Sequence, residues 1–177
     1  CFFSISQQLA KANKKFQYSL VEKGGSARKY AGSLMWLFDA GIVNFCYNLS
    51  TPEFPLEGNV KNDVFKVYMR DTGLFVAMLE DGAAKDILNG IIADIFTKSG
   101  KKLYYFEYNS QLEIDFFIRY LDKVTAVEVK SAENTRAKSL RSVMQNWGVK
   151  QGIKLSTKNI GERDGVINYP LYMAMFL

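Results

Sequence analysis

The sequence predicts an α/β protein in which a small helical unit precedes a mixed β-sheet flanked by helices. Three observations predict it. Apolar residues recur at helical spacing through roughly the first forty positions. Three strand-like runs then follow one another between Lys102 and Lys130, and a helical stretch with further strands comes after them. With 177 residues and 48% hydrophobic content, the chain can bury one good-sized core, or two small ones, without disulfides or a structural metal.

Taken in order, Ser6 to Phe16 and Ser26 to Asp39 read as helices. In the second, Tyr30, Leu34, Leu37 and Phe38 fall on one face, and Ser26 stands at the N-cap before Ala27. Ala40-Gly41-Ile42-Val43 reads as a helix end running into extended chain. Two helices and a strand suggest a winged-helix-like unit, with Ile42 to Leu49 as a hairpin-like wing closed by the turn-rich stretch Ser50 to Pro55. The prolines there place the domain boundary, giving a winged-helix-like unit over 1–56 and a second domain over 57–177. Arg28, Lys29 and Tyr30 either enter a DNA groove on a recognition helix or stay in water while that helix packs.

In the second part, Val64 to Met69 reads as a strand and Leu74 to Leu79 as a short helix. A longer apolar helix runs from Ile87 to Ser99 and ends at Gly100. Strands are expected at Lys102 to Tyr108, Leu112 to Tyr120 and Val124 to Lys130, a helix at Ala137 to Asn146, and strands at Gly152 to Ser156 and Gly165 to Met173. Tyr104, Tyr105 and Phe106 alternate as in a strand buried on both faces, which favours core over a base-stacking platform. Trp36 and Trp147 read as core or interface residues.

The composition closes several routes. Histidine is absent, which removes Ser-His-Asp and Cys-His catalysis and His-ligated zinc. Any catalysis must run on carboxylates and lysines. Cys1 and Cys46 lack metal-ligand spacing and fit a reducing cytoplasm, the expected location, with Cys46 a buried thiol. Ser99-Gly100-Lys101-Lys102 lacks the earlier glycine and the following Ser or Thr of a P-loop. No apolar run approaches the roughly 20 residues needed to span a bilayer. Cys1-Phe2-Phe3 lacks the basic lead-in of a signal peptide and reads as a cut edge. The net charge of +5, concentrated in Lys11 to Lys15, Lys23 to Lys29 and Lys130 to Lys158, suits phosphate contacts and equally a solvated face.

Strand alternation sets Leu112, Ile114, Phe116 and Ile118 on one face and Glu113, Asp115, Phe117 and Arg119 on the other. Asp115 then lies mid-strand among apolar neighbours, while Glu128 and Lys130, two apart, share a face of the next strand. Such a cluster suits phosphodiester hydrolysis. Asp115 and Glu128 are candidate Mg²⁺ ligands, since carboxylate oxygens hold a metal that polarises the phosphoryl group. Lys130 is the candidate catalytic lysine, orienting water or stabilising developing charge. The spacing is equally met by cross-strand ion pairs that fix register.

Leu103-Tyr104-Tyr105-Phe106, Glu113-Ile114-Asp115-Phe116-Phe117-Ile118 and Val127-Glu128-Val129-Lys130-Ser131 carry a resemblance. So do Gln8-Leu9-Ala10 to Phe16, Tyr30 to Gly41, Lys66 to Leu74, and Ile153-Lys154-Leu155-Ser156. Together they resemble the C-terminal region of a large bacterial and archaeal family of predicted AAA+ ATPases. The resemblance implies a winged helix followed by a restriction-endonuclease-like, PD-(D/E)xK domain of unknown function, with an ATPase domain upstream of Cys1. It implies Mg²⁺ in this domain, ATP only in the absent one, and that domain and nucleic acid as partners.

The family's Glu-Asn pair before the three-strand run is not matched, because Leu88-Asn89-Gly90 stands there. That stretch, and the passage from Asn146 to Trp147, are shorter than the resemblance leads one to expect. The expectation is that loop residues are missing at both places. Two functions stay open: a nucleic-acid or protein docking and regulatory module with an incomplete acidic site, or an active Mg²⁺-dependent endonuclease.

Overall fold

The computed structural model describes residues 1–11, 14–79, 87–130 and 137–177. Its helices are α1 (Phe2–Leu9), α2 (Ala27–Asp39), α3 (Thr72–Ala77), α4 (Ile87–Lys98) and α5 (Lys138–Asn146). The strands are β1 (Val43–Leu49), β2 (Val60–Met69), β3 (Leu103–Tyr108), β4 (Leu112–Tyr120), β5 (Lys123–Val129), β6 (Gln151–Ser156), β7 (Gly161–Arg163) and β8 (Val166–Pro170). The fold is mixed α/β. Its strands are ordered β2-β1-β3-β4-β5-β6-β8-β7, and two compact units are present, Cys1–Cys46 with Asp63–Asp94, and Tyr47–Asn62 with Ile95–Leu177.

In the first unit, α2 buries Leu34 and Leu37 and ends as the sequence suggests. Gly41, at φ +71°, lets its own N–H reach Phe38 O while the Ile42 N–H reaches Leu37 O. That pair of bonds satisfies the last helical carbonyls. Ser26 occupies the N-cap position, yet its side chain makes no capping bond. The expected helix from Ser6 to Phe16 is instead α1, ending at Leu9, with 12–13 outside the described residues. Phe16 follows strand β2, giving its N–H to Phe65 O at 2.8 Å. The Gln8 side chain clamps the return by accepting from Gln17 N at 2.7 Å and donating to Gln17 O at 3.2 Å.

The wing also differs from expectation. Ile42 to Leu49 is not a hairpin in itself: β1 is one arm and β2 the other. Arg70 N donates to Ile42 O at one end, and Ser50 N to Asn59 O at the other. Trp36 is 66% exposed and so is not a core residue. No helix among the described residues is long and apolar enough to cross a membrane.

The second unit is built on β3 to β8. The pairs β3–β4 and β4–β5 are antiparallel, β5–β6 and β6–β8 parallel, and β7–β8 antiparallel. The turns Asn109-Ser110 and Leu121-Asp122 place both of their residues at positive φ, the backbone sense that matches the twist of two-residue hairpins. α4 ends on Gly100 (φ +76°), with Lys101 N bonded to Phe96 O. The chain runs unbroken through Asn89-Gly90-Ile91 inside α4, and Trp147 follows Asn146 directly, its N–H on Val143 O.

Packing against α5 explains why Gly152 is glycine. A Cβ there would sit 2.6 Å from Leu140 Cδ2 and 2.7 Å from Met144 Sδ. Gly152→Ala is expected to cost about 1–3 kcal/mol through overpacking, because α5 must lift or repack. A denaturant midpoint equal to the parent's would show that the helix does not press on β6 as described.

Candidate functional site

The site begins with an extra residue in β4. Tyr104 pairs with Phe117 and Phe106 with Ile114, so two steps along β3 face three along β4. This bulge corrects the strict alternation expected from sequence. Ile114 and Phe117 both join the core that contains Leu140 and Val143 of α5, whereas Phe116 meets Phe96 edge-on at 5.7 Å. Bulges re-aim side chains, and the one re-aimed here is Asp115.

The β4–β5 ladder pairs Phe116 with Val127 and Phe117 with Ala126. One step further, the Asp115 carboxylate takes the place of a backbone acceptor: Val129 N–H donates to Asp115 Oδ2 at 2.8 Å. On its other edge β5 continues to pair with β6, Lys130 N donating to Leu155 O at 2.9 Å. Ala126 faces Gly152 and Glu128 faces Lys154 in the parallel register. Since Gly152 lies against α5, alternation puts Glu128, Lys130 and Lys154 on that same face of the sheet.

Glu128 is the unusual group. Its side chain is only 5% exposed, and Oε1 accepts from Lys130 Nζ at 2.6 Å while Lys130 keeps 34% exposure. Oε2 is buried and has no hydrogen-bond partner among the described residues. Burial holds the Glu128 carboxyl above the usual carboxylate range. The bond and charge of Lys130 pull it back, Asp115's negative charge pushes it up again, and Lys154 lowers it slightly. The three residues singled out from sequence are thus brought together: Glu128 and Lys130 in contact, and Asp115 within electrostatic reach. Ser131, the last residue of that motif, lies outside the described residues.

Sequence reasoning missed Lys154 as a member of this cluster. Burial, Lys158 and Arg141 depress its ammonium pKa, while Glu128 supports it. The signal for it was present: Gly152, Lys154 and Ser156 alternate with apolar Ile153 and Leu155. Lys158 is held by a polar network. Ser156 Oγ donates to Asn168 Oδ1 at 2.7 Å and accepts from Lys158 N, and Asn168 Nδ2 donates to Lys158 O and Asn159 O.

Of the candidate DNA-reading residues on α2, Lys29 is paired with Glu22 and lies 5.3 Å from the Tyr30 ring centroid. Trp147 packs edge-on against Phe106 and Tyr108 at 5.1 and 5.2 Å, and Tyr104, Tyr105 and Phe106 are buried, as expected of core.

Two family models match the chain. Residues 1–85 match a domain of unknown function (DUF8612), and residues 86–172 match a second domain of unknown function (DUF4143). No significant match to a curated protein or a solved structure was found. Asp115, Glu128, Lys130 and Lys154 all fall within the stretch similar to DUF4143.

Magnesium, implied by the resemblance, takes oxygen ligands and needs only one or two protein carboxylates beside water and phosphate. The buried, unpartnered Glu128 Oε2 fits that demand, with Asp115 as a neighbouring carboxylate. No group of three or more His, Cys, Asp or Glu suited to a metal occurs among the described residues.

Proposed function

We propose that this chain is the C-terminal module of an AAA+ ATPase and docks nucleic acid through its phosphates, on a nuclease-like sheet whose acidic site is incomplete. The observation that carries this is a run of cations beside one buried glutamate: Lys130 bonded to Glu128, Lys154 within its electrostatic reach, and Lys158 and Arg141 close enough to Lys154 to depress its ammonium. Phosphate oxygens relieve the mutual repulsion of such cations and release counterions on binding. The ATPase context rests on the sequence resemblance and on the second matched domain, which is known from C-terminal regions of AAA ATPases. Leu88-Asn89 in α4, where a Glu-Asn pair completes the family's acidic site, supports docking over cutting.

The test is fluorescence anisotropy of labelled single- and double-stranded DNA and RNA over a range of salt. Affinity is expected to fall steeply with salt. Lys154→Met should weaken all sequences alike and reduce the log–log salt slope by about one. Absence of binding at low salt, or binding indifferent to both salt and Lys154, would sink the reading.

One observation favours a second reading, an active metal-dependent endonuclease: the unpartnered Glu128 Oε2. In that case Asp115 and Glu128 hold Mg²⁺, which when bound supplies a polarised phosphoryl oxygen and a more acidic water. Lys130, 34% exposed and already bonded to Glu128, steadies that carboxylate and is open to a phosphate. Cleavage with Mg²⁺ or Mn²⁺ that disappears in Lys130→Ala, checked for folding at the assay temperature, supports this reading. Cleavage that survives the substitution marks a contaminant.

A further inference from the structure

Beside α5 lies a cleft of about 410 Å³, lined by Arg141, Met144, Gln145, Val149, Lys150 and Asp164. That volume falls within the range of small-ligand sites, which pair apolar walls with a few convergent polar groups. Met144 and Val149 supply the apolar wall, Gln145 an amide, and Arg141 and Lys150 the positive charge. Only Asp164 opposes them, from the turn Asp164-Gly165, where both residues have positive φ.

The guanidinium is incompletely satisfied. Arg141 NH1 lies 3.3 Å from Asp164 Oδ2, at the long edge of a charged contact, and Nε is buried with no hydrogen-bond partner among the described residues. Asp164 is also shared with Arg163, 3.8 Å away. A guanidinium held by one long contact to a shared carboxylate is matched better by the two oxygens of a phosphate, which it grips in a fork.

We propose that this cleft receives one nucleotide unit, its phosphate exchanging with Asp164 on Arg141 and pairing with Lys150, its base lying against Met144 and Val149. The inference rests on the nucleic-acid reading above and specifies where a nucleotide is gripped. Arg141 joins the two sites, since it lines the cleft and also acts on Lys154. The shared chemistry is a nucleoside monophosphate, whether free or part of a strand.

The 177-residue chain is titrated with a short labelled single strand, and adenosine 5′-monophosphate and adenosine are used as competitors. The monophosphate is expected to compete and adenosine not. Arg141→Met should weaken strand and monophosphate about tenfold or more, Lys150→Ala should weaken both, and Asp164→Asn should strengthen both by removing the competing carboxylate. A merely structural Arg141–Asp164 pair would make both partners' substitutions weaken binding. An Arg141-dependent strand with no competition by monophosphate assigns the cleft to a nucleotide within a strand, and the proposal stands. Strand binding that responds to Lys154→Met but not to Lys150→Ala or Asp164→Asn overturns the cleft and leaves the docking surface intact. A chain that binds neither probe overturns both.

Discussion

Phe117→Ala is expected to destabilise the protein by about 3–5 kcal/mol, the largest loss predicted for any single position considered. Phe117 is fully buried and meets Phe106 edge-on at 6.2 Å, and Phe106 in turn carries Trp147. Truncation therefore opens a cavity between the sheet and α5, and neighbours held by their own strands cannot collapse into it. For a chain of this length each kcal/mol lowers the melting temperature by roughly 2–4 °C, so thermal and denaturant melts both report it. The site should suffer as well. Ile114 and Phe117 anchor the two sides of the bulge that aims Asp115, and removing one anchor loosens the carboxylate that holds Val129. A loss under about 1 kcal/mol would mean that the site collapses freely, contrary to the packing described.

Much of this was legible in the chain because local chemistry decides it. Gly41 and Gly100 stop helices wherever they occur with the right preceding turn, and the three strand runs between Lys102 and Lys130 carry their own hairpin turns. Glu128 and Lys130 share a face by period alone. What failed depends on pairing across the sequence. The bulge adds one residue that strict alternation does not foresee, so Ile114 and Phe117 were set on opposite faces. Lys154 reaches the site through a parallel register set by α5 packing on Gly152 rather than by any nearby residue. Phe16 fits a helical stripe by spacing, yet a backbone bond to β2 claims it. The β7 strand Gly161-Glu162-Arg163 is fully exposed and has no apolar pattern to read.

The Glu128–Lys130 pair makes the second large prediction, and its sign separates it from ordinary core damage. Lys130→Ala is expected to cost on the order of 3 kcal/mol at neutral pH, because it strands a buried carboxylate whose second oxygen already lacks a partner. Glu128→Gln should do the opposite and leave the protein equal or more stable at neutral pH, since it removes the buried charge while Lys130 turns to water. Burial raises the folded pKa of Glu128 above its ordinary 4.5. Between that value and the raised one, the native state binds more protons than the unfolded chain, so stability falls as pH rises through the window. Below the window Glu128 is neutral in both states and its contribution is fully present. Lys130→Ala removes the main force that lowers the folded pKa, so its window reaches to higher pH. The parent and Lys130→Ala should therefore stay close in stability up to the parent's raised folded pKa and diverge above it, where only Lys130→Ala goes on losing stability. Denaturant melts across pH decide the matter. Parallel curves for the two proteins would mean that Lys130 acts through packing alone, and a Glu128→Gln variant less stable than the parent at neutral pH would mean that the carboxylate is not held at a cost.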